Sequence, residues 1–453
     1  MRVGPIVGGV VLVLLLVSGG LVAYAWHSAI DPIDPPARSA FDEKAITRGA
    51  ELAAIGNCNV CHTAPGGKLF AGGLDLPTPF GTIFSTNITP DPETGIGRWS
   101  QAAFDRSMRQ GVDRAGNHLY PAFPYDHFTL VSDDDLRALY AFLMTREPVR
   151  QEAKANELRF PYDQRMLLAG WKLLFFREGP YRPDAGQSAE WNRGAYLAEG
   201  LGHCGACHTP RDRFGAEERD RHFDGADVEG WYAYAINRNS PAAVPWTADS
   251  LDFYLRNGWE EAHGISRGPM APVTTNLAAV PEADVRAIAT YVAAQMGEPD
   301  AERRRKGEAA IAAARDPAPA PPAGGDLGAA LYASACAACH DGSRPLPFGG
   351  IDLHLSTGVT GPTPTNLVNV TLFGLPPAEG EQSPMMPGFA DTITDAQLEA
   401  LVTYIRARFS GGAPAWTGIG EAIARARRGD VVIRASDGTS SAPANPRLRG
   451  LPW

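Results

Sequence analysis

The sequence predicts a mostly α-helical chain of three tandem small domains behind one apolar N-terminal helix. Three observations predict it. All six cysteines fall in three copies of one pattern, C-x-x-C-H; each copy is followed by an amphipathic helix; and a charge-free apolar run opens the chain. The 453 residues leave room for about three domains of ordinary size.

The apolar run comes first. Val3 to Trp26 is 24 residues without a charge, preceded by Arg2 and followed by a polar stretch from His27. As a helix it extends about 36 Å at 1.5 Å per residue, enough for a hydrocarbon core of about 30 Å. Arg2 on the short side sets the N-terminus inside and the rest of the chain outside. Ala23-Tyr24-Ala25 also reads as a signal-peptidase site. Residues 1–26 are thus a transmembrane anchor or a signal peptide, and either one exports the chain.

Six cysteines in an exported protein first suggest three disulfides. Their positions point elsewhere. They fall as Cys58, Cys61 and His62, then Cys204, Cys207 and His208, then Cys336, Cys339 and His340, with none left over. C-x-x-C-H is the c-type haem attachment pattern. Two thiols three apart on one helical turn reach the two vinyl groups of a haem, and the adjacent histidine comes up beneath the iron. A redox C-x-x-C has no need of that histidine three times over, and a zinc site needs two cysteine pairs close together. The sequence therefore calls for three covalently bound haem c groups. Their attachment takes place outside the bacterial cytoplasmic membrane, in agreement with an exported N-terminus.

The repeat extends beyond the motif. Before each copy lies a helical pattern containing Gly49, Gly194 or Gly328. Late in each unit comes an amphipathic helix, "SDDDLRALYAFLM" from 132, "PEADVRAIATYVA" from 281 and "TDAQLEALVTYIR" from 394. Each opens on an acidic, N-cap-like turn with apolar spacing of three and four. Phe142, Tyr291 and Tyr404 occupy matching places in these helices and are expected in the core. A first helix packed on a last helix around a haem is the small, class I cytochrome c fold, in which the haem supplies part of the apolar core.

The domain plan follows. After the N-terminal segment, residues 27–39 are a linker, 40–150 domain 1, 151–186 a connector and 187–298 domain 2. Residues 299–325, running from "PDAERRRKGE" into "DPAPAPPAGG", are an extended Pro/Ala-rich linker. Residues 326–410 are domain 3, held more loosely than the others, and 411–453 a C-terminal tail. Within the connector, "MLLAGWKLLFF" (166–176) is too short to span a bilayer and is expected as a helix packed between domains.

The second axial position decides what a haem does. His/Met ligation suits electron transfer and raises the potential, while an open position admits small molecules. A helix ending in glycine precedes a loop in each unit, at Gly111, Gly258 and Gly374, and twelve residues on lie Phe123, Met270 and Met386. Both methionines sit beside proline, in "GPM" and "MMPG", and not on an apolar helical stripe. Met270 and Met386 are therefore read as axial ligands, with Met385 the neighbouring competitor. Phe123 cannot ligate iron. For the first haem, Met108 matches Leu255 of the second repeat and reads as core, Met144 ends a helix and would have to turn back, and His118 reads as a surface histidine. His127, in the same loop as Phe123, is the favoured ligand. Bis-His ligation there lowers the first potential relative to the other two.

Several stretches now resemble a known family. "STNITPDPETGIGRWS", "HLYPAFPYDHF", "WNRGAYLAEGLGHCGACHTPR" and "GPMAPV" are similar to triheme cytochrome c subunits of bacterial membrane-associated periplasmic dehydrogenases. The resemblance covers roughly residues 40 to 410. It implies a subunit on the periplasmic side of the cytoplasmic membrane that takes electrons from a catalytic partner and passes them to ubiquinone or a terminal oxidase. The partners it implies are quinoprotein alcohol dehydrogenases, flavoprotein sugar or gluconate dehydrogenases, and molybdenum hydroxylases. The alcohol-dehydrogenase type repeats an "NIT…GIG" stretch after its second haem motif. Here that place holds "YAYAINRNSPAAVPWT", which looks more like the cytochromes paired with molybdenum hydroxylases of the nicotinate or isoquinoline kind. The family's first-domain methionine, where present, falls at Phe123, so that ligand does not carry over.

The formal charge of -10 argues against a sequence-independent nucleic-acid binder, which needs a basic face. No nucleotide loop or catalytic triad is evident. The main expectation is an electron-transfer subunit whose catalysis resides in a partner. The rival, from another class, is a haem peroxidase or gas-binding sensor using an open first haem.

Overall fold

In a computed structural model of the protein, the described residues are 12, 16, 19–20, 22–315, 326–341, 350–375 and 386–431. Most of the anchor-or-signal segment 1–26 therefore lies outside the described residues. Among those described, no helix is long and apolar enough to cross a membrane. The chain is mostly helical and divides into two compact units, one of Met1–Ala53 with Cys58–Arg182 and one of Ala54–Asn57 with Pro183–Trp453.

The first unit contains α1 (Glu43–Ile55), α2 (Cys58–Cys61), β1 (Asp75–Thr78), β2 (Gly81–Phe84), α3 (Gln101–Gln110), α4 (Tyr125–Phe128), α5 (Asp133–Met144), β3 (Glu157–Leu158) and α6 (Leu167–Phe175). Local chemistry sets the helix ends. Ser100 and Ser132 cap α3 and α5 by accepting from the backbone N–H groups of Ala103 and Asp135. Asp133, Asp134 and Asp135 place negative charge at the positive end of α5. Helix α3 stops at Gly111, whose φ of 60° is left-handed backbone that favours glycine. Strands β1 and β2 form an antiparallel hairpin, and β3 adds to its edge through Gly81 and Leu158.

The second unit continues with α7 (Ala189–Glu199), α8 (Gly205–His208), β4 (Ala226–Val228), β5 (Trp231–Ala233), α9 (Ala248–Asn257), β6 (Trp259–Glu260), β7 (Gly264–Ile265), α10 (Met270–Leu277) and α11 (Glu282–Met296). It is completed by α12 (Ala301–Arg315), α13 (Leu327–Ala335), α14 (Ala337–His340), α15 (Thr357–Thr360), α16 (Thr365–Phe373), α17 (Asp395–Phe409) and α18 (Ile419–Arg428).

One contact recurs in all three repeats and explains their shared glycine. A Cβ on Gly49 of α1 would lie 2.0 Å from the Ala138 carbonyl oxygen and 2.6 Å from Cβ of Phe142, both on α5. On Gly194 of α7 it would meet Ala287 O at 1.9 Å and Tyr291 Cβ at 2.8 Å, both on α11. On Gly328 of α13 it would meet Ala400 O at 2.3 Å and Tyr404 Cβ at 2.7 Å, both on α17. The first and last helices thus cross backbone to side chain at a point only hydrogen can fill. At that crossing Phe142 and Tyr291 are buried, as expected of core residues, while Tyr404 is only half-buried.

Several segments read as linkers are built into the fold. In residues 27–39, Ile30 and Ile33 donate backbone hydrogen bonds to Arg114 and Arg98, so this stretch lies along the first unit. The connector supplies β3 and α6 to the same unit. Residues 301–315, expected as extended spacer, form α12, and Gly307 brings that helix against Pro245. Its Ala-rich sequence has high helix propensity and is free of proline between Pro299 and Pro317. The tail expected from 411 contributes α18, whose Ile419, Ala422, Ile423 and Ala426 are spaced on one helical face and buried with Leu398, Val402, Phe409 and Trp416.

The third repeat is not loosely held to the second. Trp231 of β5 enters the third repeat's own core cluster. Asn366 accepts from the Tyr232 N–H at 2.9 Å and donates to the Tyr232 carbonyl at 2.8 Å, in the manner of an added strand residue. Asn369 donates to Gly230 O at 2.9 Å. Apolar burial and satisfied backbone groups fix this junction whatever the spacer does.

Candidate haem sites

Each C-x-x-C-H forms a single helical turn: α2 with His62 directly after it, α8 and α14. The turn puts both thiols and the imidazole together on one short segment. The six cysteines are free of disulfides, which removes the structural-bridge reading. Burial pushes the thiols of Cys58 and Cys204 up to about 12 and that of Cys336 up to about 11.

The histidines are set by backbone. His62 donates from Nδ1 to Thr86 O at 2.6 Å, His208 to Tyr234 O at 2.6 Å and His340 to Ile351 O at 2.8 Å. With Nδ1 carrying the proton, Nε2 holds the lone pair a metal needs, and the carbonyl raises ligand basicity. Burial lowers the pKa of His62 and His208, the carbonyl bonds opposing it only in part. Both rings are thereby kept neutral and able to ligate. The residues present fit a covalently held haem c at each turn.

In the first two repeats the local frame is the same atom for atom. Gly72 and Gly225 donate to the carbonyls of His62 and His208, both at 2.7 Å. Thr63 and Thr209 accept from the N–H groups of Phe70 and Phe223, both at 3.1 Å. Those phenylalanines take left-handed φ values of 63° and 62°. The β4–β5 hairpin also reaches the opposite loop: a Cβ on Gly268 would lie 2.6 Å from the Trp231 ring. One hairpin therefore orients His208 and supports the segment that ends at Met270.

Met270 is the first residue of α10 and is half-buried. Met386 is half-buried and its carbonyl accepts from Leu375 N–H at 3.0 Å; Met385 lies outside the described residues. Past each glycine the backbone pairs Val112 with His118, Trp259 with Ile265 and Leu375 with Met386. The first two loops thus close over the same span, while the third is five residues longer. The ungapped count of twelve from glycine matches Met270 to Phe123 structurally, but it places Met386 at the ladder position of His118 and Ile265.

The candidates for the first haem separate. His118, read as a surface residue, is buried. Its Nε2 donates to Ala25 O at 2.9 Å, and its Nδ1 accepts from Lys172 Nζ at 2.9 Å. Both ring nitrogens are used, so neither is left for iron. Met108 and Met144 are buried on α3 and α5, as core residues are. His127 is buried on the one-turn helix α4, and Phe123 packs edge-on against Phe128 at 5.2 Å between ring centroids. Thr86, Tyr234 and Ile351, which orient the histidines, were not foreseen. They act through carbonyl oxygens, so residue type carries no signal for them.

Comparison with known proteins bears on the same segments. Residues 323–405 match the family described as cytochrome c oxidase, cbb3-type, subunit III. The chain is 46% identical over 413 residues to one subunit of the nicotinate dehydrogenase of Pseudomonas putida, covering 90% of this chain and 34% of that protein. It is 36% identical over 414 residues to the gluconate 2-dehydrogenase cytochrome c subunit of Pantoea cypripedii, covering 87% and 92%. It is 34% identical over 391 residues to the cytochrome c subunit of the quinone-type alcohol dehydrogenase of Gluconobacter oxydans, covering 82% and 80%. The chain spans about a third of the length of the nicotinate dehydrogenase relative.

Proposed function

The chain belongs to the family of cytochrome c subunits of dehydrogenases, and on that premise we propose that it is the electron-transfer subunit of a periplasmic dehydrogenase complex. Three tandem class I cytochrome c domains each carry one haem c. Cys58 and Cys61, Cys204 and Cys207, and Cys336 and Cys339 bind the three groups covalently. His62, His208 and His340 would ligate the three irons, joined by Met270, Met386 and, for the first haem, His127. A bound haem supplies one-electron exchange at its iron. The protein's part is to hold each imidazole in one tautomer, keep the site dry and set the spacing of the centres.

The observation that carries this reading is the threefold recurrence of a C-x-x-C-H turn whose histidine donates Nδ1 to a backbone carbonyl. That bond commits each imidazole to one tautomer with Nε2 as the ligating atom, and the likeness to cytochrome c subunits of dehydrogenases favours electron transfer over catalysis on a small molecule. Electrons enter from a catalytic partner, a molybdenum hydroxylase in preference to an alcohol or sugar dehydrogenase, and leave to ubiquinone or a terminal oxidase. Residues 1–26 direct the chain to the periplasmic face of the cytoplasmic membrane, as an anchor or a signal.

The test is purification from detergent-solubilised membranes, with identification of the subunit that co-purifies and its cofactor. A dehydrogenase whose substrate reduces the c-type absorbance is the expected result. A cytochrome recovered alone, with no dehydrogenase attached and with peroxide turnover, contradicts the proposal.

A further inference from the structure

Helix α6 is apolar on two sides. Its inner side is held by Ala169 and Lys172, both buried. Its outer side presents Met166, Leu167, Leu173 and Leu174, each between 50% and 68% exposed. With Gly170 between them, these positions form one stripe of helical period. Phe160, at 81% exposed, and Tyr162 are further exposed aromatics in the residues just before the helix. A run of exposed leucines and aromatics on one face marks an interaction surface.

The helix cannot roll to hide these leucines. Lys172 Nζ donates to Gln110 O at 2.6 Å and Gly111 O at 2.8 Å, the carbonyl end of α3. It donates also to Nδ1 of His118 at 2.9 Å. The outer stripe is therefore a fixed feature of the first unit.

What covers it follows from where the N-terminal apolar run enters that unit. The Ala25 carbonyl, near the end of the 24-residue run, accepts from His118 Nε2 at 2.9 Å. The same imidazole is bound by Lys172 of α6, and the His118 carbonyl accepts from Arg165 Nη1 at 3.1 Å. Tyr120 donates to Tyr162 O at 3.0 Å. One buried histidine thus ties the exit of the apolar run to the base of the leucine stripe. Val22, Tyr24 and Trp26 are exposed beside this knot.

We propose that the outer face of α6, with Phe160 and Tyr162, rests in the interfacial layer of a phospholipid bilayer at the point where the N-terminal run emerges from it. The inference rests on the membrane-associated reading above. A helix with a fixed apolar stripe lies in the plane of the interface, and tyrosine and tryptophan favour headgroup depth. Arg159, Arg177 and Arg182 are exposed in the same segment, together with Asp163 and Glu178, so its charge is mixed and the apolar side chains carry the fit to lipid. The bilayer, not the catalytic partner, is favoured because a segment able to span it ends against the inner side of this same helix.

The experiment uses the full-length holo-protein in nanodiscs of phosphatidylethanolamine and phosphatidylglycerol containing a diazirine-tagged phosphatidylglycerol, with labelled peptides mapped by mass spectrometry. Label on the peptide 160–177 is expected, falling several-fold in a Leu173→Ser, Leu174→Ser variant that retains the c-type spectrum. Because those side chains are exposed, the variant folds; Leu173→Phe, Leu174→Phe restores the label. Label confined to residues 3–26 overturns the proposal while leaving membrane association intact. Label nowhere, with the protein excluded from the discs, overturns the membrane reading itself. Cross-links from 160–177 to a dehydrogenase subunit, in the intact complex, assign the face to that partner and overturn the bilayer seat.

Discussion

His208 donates from Nδ1 to the Tyr234 carbonyl oxygen at 2.6 Å, and the ring of that same tyrosine lies against Gly361 of the third repeat, where a Cβ would come within 2.6 Å of it. The relation is reciprocal. Ile351, whose carbonyl orients His340 at 2.8 Å, reaches with Cδ1 to 3.6 Å from where a Cβ on Gly264 of the second repeat would stand. Each imidazole is set by a residue that touches the neighbouring repeat. Packing at the junction between the second and third repeats therefore bears on the electronics of both sites.

A substitution at that junction should read out as a potential. Gly361→Ala pushes on the Tyr234 ring and weakens the carbonyl bond to His208. A less basic imidazole stabilises ferric iron less, so the second haem's potential rises. Loss of about 1 kcal/mol from that bond corresponds to about 40 mV for one electron. Spectroelectrochemical titration should show one wave moving upward and the first-unit haem unmoved. Unchanged potentials with an intact fold would mean that the carbonyl contact is passive.

His127 and His118 make opposite predictions. His127→Ala should turn the first haem into a high-spin centre that binds carbon monoxide when reduced, with the other two unchanged. His118→Ala should leave ligation alone and loosen the first unit, because its two ring bonds hold Ala25 and Lys172. Magnetic circular dichroism of the two variants distinguishes them.

The recurring glycine is testable by size. Gly194→Val places methyl groups where a Cβ alone already stands 1.9 Å from Ala287 O. Overpacking of this kind costs about 3 kcal/mol or more. Thermal unfolding should shift accordingly, with loss of covalent haem from the second site. Equivalent changes at Gly49 and Gly328 should affect the first and third sites respectively.

Lys172 links stability of the first unit to pH. Burial lowers its pKa from the ordinary 10.5 to about 7. Between those values the unfolded chain binds the proton more tightly than the folded one. Stability therefore rises with pH from about 7 upward, by at most about 1.4 kcal/mol per pH unit. Melting of the first unit measured from pH 7 to 9 should show this slope, and Lys172→Met should abolish it.

The sequence made the three C-x-x-C-H turns legible because they consist of named residues at fixed spacing. It made the helix crossings legible too, since Gly49, Gly194 and Gly328 recur with Phe142, Tyr291 and Tyr404. What it hid was carried by backbone and by tertiary choice. Carbonyls of Thr86, Tyr234 and Ile351 leave no mark on residue type. Helix α12 hid behind the prolines that follow it. Helix α18 hid in a stretch read as tail, although Ile419, Ala422, Ile423 and Ala426 have helical spacing. The extra five residues between the paired positions of the third loop do not show in a count of twelve from each glycine. His118 looked like a surface residue because nothing local announces a partner 93 residues away at Ala25.

The most direct test of the whole account is a reductive titration of the purified full-length chain, with haem counted by the pyridine haemochrome method. The account predicts three haem c groups per polypeptide, three one-electron steps and no carbon monoxide adduct on the reduced protein. Two haems per chain, or one haem in three binding carbon monoxide and turning over peroxide, would contradict it.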